Sequence, residues 1–119
     1  MKWKKAPEEL VSFLSKRMKD VRCESRQMFG FPAYFINGNM FTGAFEDKLF
    51  LRFSESDRME IAKVSPLVKP FEPMPGRPMG EYVALPRSLY MDRSFFDKWL
   101  ERSIRYTNSL PPKKKASKG

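Results

Sequence analysis

Few side chains in this sequence are equipped for bond-making chemistry. It contains no histidine and a single cysteine, so the usual neutral-pH general base is missing and a thiolate metal site cannot form. Cys23 is the one thiol nucleophile, and Arg22 and Arg26 are close enough in sequence to favour its thiolate. Its general base would have to come from elsewhere, and a small residue at a helix–strand junction is the plainer reading. Glu46-Asp47 and Asp92 stand where a turn and a helix cap belong, not as a catalytic carboxylate pair. The expectation is therefore no catalytic residue, no metal, no cofactor and no enzyme.

The remaining candidate is a recognition element. In Phe71-Glu72-Pro73-Met74-Pro75-Gly76-Arg77-Pro78-Met79-Gly80-Glu81-Tyr82 the prolines set φ and remove amide donors, while Gly76 and Gly80 allow the chain to turn. The same prolines rule out a phosphate-cradling glycine loop, which works through backbone N–H groups. Pro75, Gly76, Arg77 and Pro78 form the stiff centre of the segment. Arg77 is open to two readings: a tether to an internal carboxylate or loop carbonyl, or a preorganised guanidinium for an anion or a partner.

The elements that must position this loop follow from periodicity. Leu10, Val11, Phe13, Leu14, Arg17, Met18 and Val21 recur at helical spacing behind Pro7, Glu8 and Glu9, giving a helix over about 7–20. Strands are predicted at 28–36, 39–45 and 48–53, reversed at Asn37-Gly38 and Glu46-Asp47. Ser54 or Ser56 caps a short helix to Lys63, two strand-like pieces (69–72 and 80–85) flank the proline loop, and a helix runs from about Asp92 to Ser109. The order α-β-β-β-α-β-β-α reads as a two-layer α+β domain, a five-stranded antiparallel sheet with three helices.

If both reversals are two-residue turns, Phe29, Phe31, Ala33, Phe35, Met40, Ala44, Leu49, Leu51 and Phe53 share the core side. The other side then carries Tyr34, Ile36, Phe41, Gly43, Phe45 and Phe50, with Lys48 and Arg52 among them. An aromatic face of that size needs a cover. A loop or helix of the same chain, a second copy or protein partner, and single-stranded bases with Lys48 and Arg52 on phosphates all fit. Tyr34, Phe41, Phe45, Lys48, Phe50 and Arg52 are thus the candidate partner contacts.

Net charge is +9, but Lys2, Lys4 and Lys5 and the terminal Lys113, Lys114, Lys115 and Lys118 carry most of it, leaving the body nearly balanced. Residues 1–110 are expected to form one domain and 111–119 a mobile lysine-rich tail, capable at most of weak, nonspecific nucleic-acid attraction. One cysteine, no disulfide framework and no apolar run of membrane-spanning length suit the cytoplasm.

Several segments resemble the TfoX N-terminal domain family, named for a bacterial competence regulator. These are Met28-Phe29-Gly30, Phe35-Ile36-Asn37-Gly38-Asn39-Met40-Phe41, Lys48-Leu49-Phe50-Leu51-Arg52, the Phe71–Met79 loop and Trp99-Leu100-Glu101-Arg102. The resemblance spans about residues 8–112. It implies a fold similar to type III secretion chaperones, with five antiparallel strands and three helices. The resulting expectation is a regulatory or adaptor domain working through protein contact, with a partner or a second copy. The alternatives are a nucleic-acid-associated regulator, and a small-molecule binder or enzyme in the cleft beside the loop.

Overall fold

The computed structural model describes residues 4–113; Lys2, Lys114, Lys115 and Lys118, expected to supply terminal charge, lie outside them. In chain order the elements are α1 (Glu8–Met18), β1 (Glu24–Met28), β2 (Phe31–Ile36), β3 (Asn39–Phe45), β4 (Lys48–Arg52), α2 (Glu55–Val64), β5 (Lys69–Pro70), β6 (Tyr82–Leu85), α3 (Arg87–Tyr90) and α4 (Arg93–Ser109). The strands form one antiparallel sheet in the order β1-β2-β3-β4-β6-β5. The α+β class holds, but among the described residues there are six strands and four helices, not five and three.

The additional elements lacked the signals that periodicity reads. β1 is Glu-Ser-Arg-Gln-Met, an edge strand exposed along most of its length, with no alternation of apolar and polar positions. It joins β2 through Phe29 and Gly30, both at positive φ (58° and 82°), a second tight turn like the one at Asn37 and Gly38 (52° and 82°). α3 is a single turn behind Pro86, too short to show a period. Local capping followed expectation: Ser54 accepts from the Asp57 amide at 3.2 Å and Asp92 from the Phe95 amide at 3.2 Å.

A bulge in β3 decides which side chains share a face. Phe35 pairs with Met40 while Tyr34 pairs with Thr42, so Phe41 is an extra residue. Strand parity therefore inverts there, and the predicted faces are right for Ala44, Phe45 and β4 but reversed for β2, Met40 and Phe41. Tyr34, Ile36, Phe41, Leu49, Leu51 and Phe53 face the helices, where they pack on Leu10 and Leu14 of α1 and Phe96, Trp99 and Leu100 of α4. Phe31, Ala33, Met40, Phe45 and Phe50 form the opposite face.

That opposite face is not open either. Phe71 lies over it, stacked on Phe50 with centroids 4.6 Å apart at 15° and edge-on to Phe45 at 5.5 Å. Phe45, Phe50 and Phe71 are buried, as are Tyr34 and Phe41 on the helix side. Of the three covers that the aromatic face could take, the one present is a loop of the same chain: the proline-rich segment closes it, leaving two buried clusters, one on each side of the sheet.

Candidate functional site

The proline-rich segment is folded as a cover with a projecting tip. Its base is tied down where the Phe71 amide donates to the Tyr82 carbonyl (3.1 Å), the Met79 amide to the Phe71 carbonyl (2.8 Å) and the Tyr82 amide to the Met79 carbonyl (3.0 Å). Phe71 and Pro73 are buried, whereas Met74 through Pro78 are exposed. At the tip the Arg77 amide donates to the Met74 carbonyl at 2.8 Å around Pro75 and Gly76, and Gly76 has φ 77°. Proline second and a positive-φ glycine third is the pattern of a type II turn, so these residues make a stiff reversal.

Arg77, like Arg22, differs from the arginines that are held by carboxylates. Arg87 holds Glu9 in a fork at 2.7 and 2.8 Å, Arg102 bridges Asp57 (2.8 Å) and Glu60 (3.2 Å), Arg17 pairs with Asp97, and Arg52 pairs with Glu81 at 2.7 Å. Among the described residues the exposed Arg77 guanidinium has no hydrogen bond or ion pair. The internal tether weighed for it is therefore absent there, and the guanidinium is presented to solvent beside Met74, which is 43% exposed.

Beneath the loop lies a polar cluster that periodicity did not single out. Glu81 accepts from Arg52 with one oxygen (2.7 Å) and from the Tyr106 hydroxyl with the other (2.8 Å), while the buried Tyr82 hydroxyl donates to the Met40 carbonyl at 2.9 Å. Burial pushes the Glu81 carboxyl up, but hydrogen bonds from Tyr106 and Arg52 and the Arg52 and Arg58 charges outweigh it, leaving it below the ordinary carboxylate value. Burial pushes the Tyr82 phenol up to about 12. The cluster joins β4, the loop's end and α4, and so fixes the base of the cover to the helix layer. Only the charge beside Tyr82 hinted at it in sequence, and a glutamate next to a strand tyrosine is not a specific signal.

This arrangement makes acid sensitivity testable. Because Glu81 is depressed in the folded state, its stabilising contribution is complete above the unfolded carboxylate value and disappears as pH falls through the folded one. Glu81→Gln is expected to lower the melting temperature near neutral pH and to flatten its decline in acid. A pH series of melting curves for both chains checks this; parallel declines would show that the cluster does not couple protonation to folding.

The other predicted contact residues do not assemble into one surface. Lys48 pairs with Asp47 at 3.0 Å in the β3–β4 turn, and Arg52 is committed to Glu81. Cys23 is half-buried and burial pushes its thiol up, the direction opposite to an activated nucleophile. It lines a groove of about 710 Å³ between the start of β1, the β2–β3 turn and the end of α4.

Across that turn lies the start of the predicted tail. Asn39 donates through Nδ2 to the Pro111 carbonyl (3.1 Å) and the Lys113 amide donates to the Asn37 carbonyl (2.8 Å). Residues 111–113 are therefore a strap on the hairpin. Gly38 admits it, since a Cβ there would sit 2.4 Å from the Lys113 carbonyl oxygen.

Fold and loop together define a mixed α+β domain with one antiparallel sheet and a projecting proline–glycine turn. Among the described residues no three or more His, Cys, Asp or Glu are grouped to hold a metal, and no helix is long and apolar enough to cross a membrane. The chain belongs to the TfoX N-terminal domain family, whose model matches residues 16–106, as the motifs implied. No curated protein and no solved structure matches it.

Proposed function

We propose that this is a cytoplasmic regulatory or adaptor domain that acts by protein–protein contact, with the Met74–Arg77 tip as its contact point. The family is named for a competence regulator, which supports a regulatory role. The single observation that carries the contact reading is the Arg77 guanidinium, exposed on a stiff turn without an internal partner among the described residues and flanked by exposed Met74. A rigid turn loses little freedom on binding, and an unpaired guanidinium beside an apolar side chain fits a partner surface with a carboxylate next to an apolar pocket.

The test is capture from the native cell by the wild-type chain and by Arg77→Gln and Met74→Ser variants, with melting curves on each. Both positions are exposed, so stability is expected to stay within about 0.5 kcal/mol of wild type. Partner recovery is expected to fall severalfold. Identical recovery by all three folded chains would remove the tip as the contact.

A further inference from the structure

The two edges of the sheet are finished differently. β5 is two residues long and ends in Pro70, which cannot donate to a neighbouring strand. β1 at the other edge has five residues and no proline, and its first four are exposed. An edge of that kind is a template for another strand unless its side chains forbid pairing. Those side chains alternate charge: Glu24 and Arg26 lie on the face of Phe35 and Ala33, and Ser25 and Gln27 on the other.

We propose that β1 is a self-association edge, pairing antiparallel with β1 of a second copy in the register centred on Ser25. The occupant follows from charge and geometry. Along an edge strand the outward N–H and C=O groups occur at alternate residues, so two copies related by a twofold axis can pair only in registers centred on a residue, not between residues. Centring on Glu24 sets Glu24 against itself, and centring on Arg26 sets Arg26 against itself; both put like charges directly opposite. Centring on Ser25 sets Glu24 of each copy against Arg26 of the other, twice, with Ser25 against Ser25.

Arg26 is already poised on that face. Its guanidinium rests over the Phe35 ring at 4.4 Å and reaches Glu24 Oε1 of its own strand at 3.3 Å, so pairing exchanges a local contact for the same contact between copies. Charges that deter an arbitrary strand thus select a copy of the same strand. The proposal does not depend on the loop reading, because β1 and the Met74–Arg77 tip are separate parts of the chain.

Sedimentation and light scattering across a dilution series test it with a charge-swap cycle. The wild-type chain is expected to associate reversibly. Arg26→Glu and Glu24→Arg, each turning both cross-strand pairs into like charges, are expected to weaken association by about tenfold or more. The double swap is expected to restore it. Melting curves establish that the exposed substitutions leave the fold intact.

Register is read separately with a chain carrying Cys23→Ser and Ser25→Cys together. Facing Cα atoms of an antiparallel pair, roughly 4.5–5.5 Å apart, lie within disulfide range, so mild oxidation is expected to give a covalent dimer. A wild-type chain that stays monomeric up to about 1 mM would overturn the proposal. So would single variants that associate like wild type, a double swap that fails to restore association, or a Ser25→Cys chain that gives no disulfide-linked dimer.

Discussion

Phe50→Glu is expected to leave the domain largely unfolded at neutral pH, in monomer and assembly alike. Phe50 is 1% exposed, stacked on Phe71 and edge-on to Tyr82 at 5.8 Å. Losing a buried phenylalanine costs about 3–5 kcal/mol. The new carboxylate adds the penalty of an unpaired charge between two aromatic rings, or must take up a proton to avoid it. Together these approach the roughly 5–15 kcal/mol that holds a typical domain folded. Circular dichroism checks it, with partial recovery expected as pH falls and the carboxyl protonates. A variant that melts like wild type would mean that the back of the sheet is not a core.

Gly43→Val is expected to be nearly as damaging, through space alone. A Cβ at Gly43 would lie 2.7 Å from Phe50 Cζ, 2.7 Å from the Pro32 carbonyl oxygen and 2.9 Å from Ala33 Cα. Two of those three neighbours are backbone atoms of β2, which can yield only by separating from β3. Gly43→Ala should cost at least the about 1–3 kcal/mol typical of overpacking, and the branched valine more. Urea unfolding with an unchanged slope would report a pure stability loss, whereas a steep drop in slope would indicate that the two strands no longer pair.

The elements that strong local signals mark were legible: α1, α4, the Asn37-Gly38 reversal and the Ser54 and Asp92 caps depend on residues a few positions apart. The back of the sheet was not. One extra residue at Phe41 inverted the parity of everything before it in the meander, and nothing in Asn39-Met40-Phe41-Thr42 announces a bulge. The cover was equally hidden, because the stacking of Phe71 on Phe50 is a contact between residues far apart in sequence.

For the loop, the sequence allowed a turn at either Gly76 or Gly80, and of the two Gly76 takes the positive φ while Gly80 does not. Whether Arg77 had an internal partner depended on where every carboxylate came to rest, which local spacing cannot report. β1 escaped notice because edge strands are polar on both sides, and its glycine-containing turn at Phe29-Gly30 was the available clue.

The strap at residues 111–113 changes how the basic terminus should be studied. Cutting after Leu110 would remove lysines, but it would also take away the hydrogen bonds to Asn37 and Asn39 and uncover one wall of the groove beside Cys23. A loss of polyanion affinity in that shortened chain would mix electrostatics with a local rearrangement of the hairpin. Ending the chain after Lys113 keeps the fastening and discards only what lies beyond it, so the frontier between architecture and charge falls at the hairpin and not at the last turn of α4.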